Sequence, residues 1–284
     1  MLLANYLVAQ RLLTHAKHLA LLRLHPEPLE DGLDKVAAIA KAAIGFDMDI
    51  SSSQALHRSL VDLSRQCEND PLVLQCVTQM LMTPMQPADY FCVGTKEESD
   101  SWRHFALNIP YYTHFTSPIR RYADVLVHRL LQATIDGTVD KFYLDSRQLQ
   151  LAAEHCNEKR MDSKTAQERC DRVFLALCVR SRPMENELGI VVSMGVTSFT
   201  VFVPSIGAGV LLYLEEHKHM LTWESSEDND SGSRSILLKQ SKTKPNVPAW
   251  GELEIRIFSK VMVTVVCKEK PPIDVKLQLQ GPWP

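Results

Sequence analysis

Apolar positions repeat along this chain with two different periods. Through residues 1–182 they return every three or four residues, the spacing of one face of an α-helix. Residues 1–24 read as one helix, stopped by His25, Pro26, Glu27 and Pro28, because proline lacks a backbone donor and its ring blocks the turn before it. A second helix is predicted over 33–44, ending at Gly45. Ser51 to Gln54 has the composition of a helix start and predicts a third helix to about residue 63. Asp70 and Pro71 open a fourth through 82, and a long one runs from 149 to about 177.

Beyond Arg182 and Pro183 the pattern changes. Short runs rich in β-branched residues, 189–193, 197–204, 209–214, 253–258, 261–266 and 275–279, are separated by glycine and proline turns. They predict a small β-barrel or sandwich over 183–284. Residues 215–248 interrupt it as a polar insertion expected to be flexible. Phe199 and Phe202 lie three apart on a predicted strand and so face opposite sides, which predicts one as core and the other as a base-stacking platform.

Residues 113–133 read as a loop feeding a helix. Ser117 is placed to cap it, and Pro118 suits the first helical position, where a missing N–H is no loss. Ile119, Tyr122, Ala123, Leu126, Leu130 and Ala133 then form one apolar face. This places Arg120 and Arg121 in the first turn, where the helix dipole disfavours cations by roughly 0.3–1 kcal/mol each. A phosphate bound at the helix start would explain them. The plainer alternative is that Asp124 neutralises the pair as ordinary helix surface. The physics alone leaves both open.

Composition narrows the classes without choosing a function. A length of 284 residues fits one large domain or two ordinary ones. The net charge of −3 gives no global case for nucleic acid, so any RNA affinity must come from local patches. One such patch is the cationic side of the long helix, with Lys159, Arg160, Lys164, Arg169, Arg172 and Arg180, partly offset by Glu158, Asp162, Glu168 and Asp171. No apolar run approaches the ~18–20 residues of a membrane span, and the start of the chain reads as amphipathic helix rather than signal peptide. The seven cysteines form no CxxC pair, which fits reduced thiols in the cytosol better than a disulfide or zinc framework. His15 and His18 read as helix surface.

Residues 116–131, TSPIRRYADVLVHRLL, resemble the signature of the RNase II/RNase R family, whose catalytic module is the RNB domain. The likeness extends to residues 1–5, 84–86, 90–92, 104–110 and 155–161, with the flavour of the eukaryotic cytoplasmic Dis3-like exonuclease 2 branch. The resemblance implies an α+β chain: the mainly helical C-terminal part of an RNB domain over 1–182, then a small S1/OB-type β-barrel over 183–284. The implied activity is processive 3′→5′ hydrolysis of RNA to 5′-mononucleotides.

Carried over residue by residue, the resemblance makes Arg120 the catalytic arginine at the scissile phosphate. It makes Tyr112, His114, Thr116, Ser117, Arg121, Lys164, Glu168, Phe199 and Phe202 candidates for RNA contact, with Arg121 also tied to Asp124. The family reaction uses Mg2+ or Mn2+ held by clustered aspartates. Only Asp47 and Asp49 approach such a cluster, so this chain is expected to bind no metal tightly and to require the N-terminal half of the RNB domain for activity. The partner is single-stranded RNA, with no membrane; a monomer in the cytoplasm is expected. The alternative is a stand-alone, non-catalytic RNA-binding or scaffolding protein.

Overall fold

The structure is a computed structural model that describes residues 1–68, 70–96, 102–227, 234–240, 251–268 and 270–284. In chain order the helices are α1 (Leu2–His15), α2 (Glu30–Ile44), α3 (Ser53–Gln66), α4 (Pro71–Met82), α5 (Tyr122–Ile135) and α6 (Ser146–Ser181). The strands are β1 (Leu21–Leu24), β2 (Asp89–Cys92), β3 (Met184–Met194), β4 (Ser198–Val203), β5 (Ala208–Tyr213), β6 (Leu221–Glu227), β7 (Arg234–Gln240), β8 (Glu252–Ile255), β9 (Lys260–Lys268) and β10 (Asp274–Pro282). Two compact units form: Met1–Leu29 with Met85–Gln167, and Glu30–Pro84 with Glu168–Pro284.

The first unit corrects the reading of residues 1–24 as one helix. α1 ends at His15 because Ala16 leaves helical geometry (φ −144°, ψ 40°), a 3-10 turn follows, and Leu21–Leu24 pairs antiparallel with β2. The misreading has a physical cause: Leu21, Leu22 and Leu24 are all buried, so this strand has no polar face and no alternation to betray it. These leucines share a core with Leu12, Phe91, Leu126, Leu130 and Leu149, from α1, β2, α5 and α6.

The second unit holds the predicted strands. β10-β9-β3-β4-β5 form one antiparallel sheet in that order, with register shifts between Val191 and Ser193 and between Leu279 and Gly281. Such irregularities bend strands, and the sheet curls until its outer strands, β10 and β5, lie beside each other. His217, just past β5, is buried there, and its Nε2 accepts the Leu279 N–H of β10 at 3.3 Å.

The expected flexible insertion at 215–248 is also corrected where it is described. β6 and β7 lie within it and join β8 in a three-stranded antiparallel sheet. Leu221, Ile236 and Leu238 enter the same core as Phe199, Val201 and Val263, so alternate apolar residues stabilise what looks polar in bulk composition. The remainder of the insertion, 228–233 and 241–248, lies outside the described residues.

Phe199 and Phe202 do face opposite sides, but neither faces solvent. Phe199 points into the sheet's main core. Phe202 lies on the other side against Cys76 of α4 and Ile190, with Leu72, Val192 and Phe258 around them. Helix α4 thus covers the outer face of β3 and β4, anchored further by Lys260 Nζ to Asp70 at 2.6 Å. The base-stacking role expected for one of the two phenylalanines is therefore withdrawn.

Candidate nucleic-acid interface

The β1–β2 register sets Arg23 directly opposite Tyr90 and Leu24 opposite Asp89. Cross-strand partners share a face of the sheet, and the Arg23 guanidinium lies 5.1 Å from the centre of the Tyr90 ring. The Tyr90 hydroxyl reaches Nδ1 of His114 at 2.6 Å. From α6, Asn157 uses its amide oxygen and nitrogen on the two backbone groups of Tyr90, both at 2.9 Å. Arg160, one turn on, pairs with Asp89 at 2.8 Å.

Residues 111–115 run extended beside β1 and are tied at several points. Arg23 N–H donates to the Tyr112 carbonyl at 2.7 Å, and the Thr113 hydroxyl donates to the Leu21 carbonyl at 2.7 Å. Asn5 of α1, buried, donates to the Tyr112 hydroxyl at 2.6 Å and accepts the Phe115 N–H at 3.0 Å. The His128 ring stacks on Phe115 at 4.0 Å, its Nε2 2.7 Å from the Phe115 carbonyl. The segment leading into the signature is therefore rigid, and this fixes where the arginines start.

The helix start differs from the sequence expectation. α5 begins at Tyr122, not Pro118, and Ser117 does not cap it with its side chain; residues 117–121 form a turn in which the Ser117 carbonyl accepts from the Arg120 and Arg121 amides. The reason is Asp124. Its carboxylate, wholly buried, takes the Ser117 N–H at 2.8 Å and both forks of Arg121 at 2.7 and 2.8 Å, which folds the turn back on the helix. Ile119 is consequently 95% exposed and Tyr122 also faces solvent; the buried face of α5 is Ala123, Leu126, Val127 and Leu130.

Arg120 stands exposed on that turn, with no side-chain hydrogen bond or ion pair among the described residues. Arg121 is committed to Asp124. Tyr112 is buried and His114 half-buried, while the Thr116 hydroxyl is buried without a partner among the described residues. Lys164 and Glu168 are exposed positions of α6, outside this cluster.

The electrostatics follow from burial and crowding. Burial holds the His114 imidazole down to about 3, and the neighbouring Arg23 and Arg121 push the same way, so it is neutral at neutral pH. His104, stacked on His25 at 5.2 Å, is held down to about 4, again mainly by burial. Burial likewise lowers Arg23, with Arg160 and Arg121 adding repulsion, while Tyr90 offsets part of it. Burial raises the Tyr90 phenol.

Sequence reasoning missed Arg23. Its signal is a lone cation inside the apolar run Leu21, Leu22, Arg23, Leu24, the one position of β1 that is not fully buried. The two carboxylates singled out as metal candidates have other partners. Asp47 is held by Lys41 at 3.1 Å, and Asp49 accepts from the amide and hydroxyl of Ser51. Among the described residues no group of three or more His, Cys, Asp or Glu side chains is arranged to hold a metal. No helix among them is long and apolar enough to cross a membrane.

Comparison with known proteins places this geometry. The RNB domain family matches residues 1–137. A DIS3-like exonuclease 2 of Xenopus tropicalis is 38% identical over 99% of this chain, which spans 33% of that protein. Yeast Ssd1, described as a pseudonuclease, superposes with a TM-score of 0.82 at 20% identity, over 99% of this chain and 44% of that one. Mycoplasma genitalium RNase R in complex with ribose-methylated single-stranded RNA gives a TM-score of 0.68 at 19% identity, over 94% of this chain and 38% of that one. The chain thus spans about a third of the length of that curated relative, and the structural likenesses speak to the fold. With the signature turn, its buried aspartate anchor and the matched segment in agreement, the chain belongs to the RNB-domain family.

Proposed function

We propose that this chain is the RNA-holding segment of a metal-dependent 3′→5′ exoribonuclease that releases 5′-mononucleotides. The observation that carries the reading is the Arg120 turn. The Arg120 guanidinium, without a side-chain partner among the described residues, is presented on a backbone clamped by Asp124, inside the segment that matches the RNB domain. A guanidinium offers a planar fork to two phosphate oxygens, and a rigid mount lets it meet charge that develops at the phosphorus. That the RNase R relative is described with single-stranded RNA bound supports the substrate class.

In this reading the curled sheet of β3–β5, β9 and β10 is an S1/OB-type barrel, and its exposed aromatic is Tyr213 on β5 in place of Phe199 or Phe202. The metal-binding aspartates belong to a part of the enzyme outside the described residues, so no step through the metal is assigned to this chain. The second reading, a non-catalytic RNA binder, is favoured by one observation: yeast Ssd1, which shares this fold, is described as a pseudonuclease.

The experiment places Arg120→Ala in an enzyme that contains this chain and measures single-turnover cleavage beside RNA affinity. Turnover should fall by roughly 10²–10³, the usual loss of one aimed donor, with a much smaller loss of binding, which many backbone contacts share. Equal losses, or neither, would refute the assignment.

A further inference from the structure

We infer that Arg23 is the centre of a second, inner phosphate site, in which one phosphodiester group of the RNA lies against the Arg23, Arg121 and Arg160 guanidiniums beside Tyr90. The inference rests on the reading of this chain as an RNA binder, and it goes beyond it in assigning the site to a strand residue outside the signature.

Charge is the first argument. Arg23 and Arg121 flank the Tyr90–His114 pair, and Arg121 and Arg160 lie close enough to Arg23 to disfavour its charge. Among the described residues two of these three arginines have a carboxylate partner: Arg121 pairs with Asp124 and Arg160 with Asp89. His114 is neutral and brings no charge of either sign. Among the described residues Arg23, half-buried, has no carboxylate partner; its side chain meets Tyr90, by ring contact and by a side-chain hydrogen bond. A cation–π contact contributes only about 0.5–2 kcal/mol, a weak return for a desolvated guanidinium held near two others.

The second argument is independent of charge. Nε of Arg160 and the hydroxyl of Thr116 are buried and have no hydrogen-bond partner among the described residues. Buried polar atoms are nearly always satisfied, so an unpaired donor on Arg160, within electrostatic reach of Arg23, indicates an acceptor that binds there. Asp89 engages only a terminal nitrogen of Arg160, leaving Nε for another oxygen. Thr116 directly precedes Ser117, whose amide Asp124 holds, so its position is fixed by the same clamp. The chemistry required is a compact anion with several oxygen acceptors. A phosphodiester supplies it and cancels the surplus charge.

The test uses the 284-residue chain and fluorescein-labelled single-stranded RNA, read by anisotropy across a salt series. Arg23→Gln is expected to weaken binding roughly ten- to hundred-fold, the loss of a charge-assisted hydrogen bond, and to lower the salt dependence by about one ion. Arg23→Lys, which keeps the charge without the fork, should recover part of the affinity. A scan of neutral methylphosphonate linkages should find one position that weakens the unsubstituted protein and has no effect on Arg23→Gln. Should the Gln variant not fold, the scan on the unsubstituted protein and on Arg23→Lys carries the test. If RNA binds and Arg23→Gln binds equally well, the Arg23 site is wrong and the RNA reading survives. If RNA does not bind but inorganic phosphate shifts the Arg23 side-chain NMR signal, the anion site stands and the RNA reading fails. If neither probe engages Arg23, both are overturned.

Discussion

Arg121 and Asp124 share a two-point ion pair, Nε to Oδ1 at 2.7 Å and a terminal nitrogen to Oδ2 at 2.8 Å, with the aspartate wholly buried. The same carboxylate takes the Ser117 amide, so one side chain ties the signature turn to the first turn of α5. Breaking such a pair by removing one member leaves the other charge desolvated, which costs about 3–5 kcal/mol. Asp124→Ala should therefore destabilise the chain by about that amount in urea unfolding. Arg121→Ala should cost at least as much, because it leaves the wholly buried Asp124 carboxylate with only the Ser117 N–H, whereas Arg121 is partly exposed. A loss under about 1 kcal/mol for Asp124→Ala would mean that the turn does not depend on the clamp.

His114 makes stability depend on pH with a definite sign. Its folded value is about 3 against 6.5 for the free side chain, so the unfolded chain takes up a proton first as pH falls. The contribution of the neutral imidazole is complete above 6.5 and is lost progressively between 6.5 and about 3. His104, held to about 4, acts in the same direction. Thermal unfolding should fall in temperature as pH drops below 6.5, and His114→Phe should flatten that dependence. An NMR titration in which the His114 ring protonates near 6.5 would contradict the burial on which this rests.

Helix α4 is held to the sheet through Phe202 and Cys76. Phe202→Ala should cost about 3–5 kcal/mol, as for large buried aromatics, with the loss concentrated where α4 meets β3 and β4. Burial pushes the Cys76 thiol up to about 12, so it should resist alkylation at neutral pH while the exposed Cys170 and Cys178 react. In Phe202→Ala, Cys76 should become reactive. Continued protection of Cys76 in that variant would show that α4 is held by other contacts.

The 284-residue chain on its own should not release mononucleotides from single-stranded RNA with Mg2+ or Mn2+. A divalent ion needs several oxygen ligands converging on it, and the carboxylates of Asp47, Asp49, Asp89 and Asp124 are engaged by other partners. Metal-dependent release by a clean preparation, read on labelled RNA, would defeat this expectation and send attention to the residues outside those described.

Much of the fold is decided locally and is legible in the chain. α2, α3, α4 and α6 follow from three- and four-residue spacing, and Pro71 and Ser52 start their helices where composition puts a start, the latter by accepting the Ala55 amide. The change to alternation after Pro183 likewise announces β3 to β5 and β8 to β10. The Arg121–Asp124 partnership is written in an i, i+3 spacing, and residues 116–131 carry the family likeness without any coordinates.

Only the tertiary structure decided the rest, because each of those features depends on a partner far away in sequence. Leu21–Leu24 is a strand because residues 89–92 supply its hydrogen bonds and the core buries both of its faces, erasing the alternation that marks a strand. Phe202 is core because α4, over a hundred residues earlier, covers it. Arg23 gains its chemistry from Tyr90 across the strand pair and from arginines in α6 and before α5. Spacing along a chain encodes contacts within a few residues. The desolvation and crowding that turn Arg23 into a site arise only when distant segments meet.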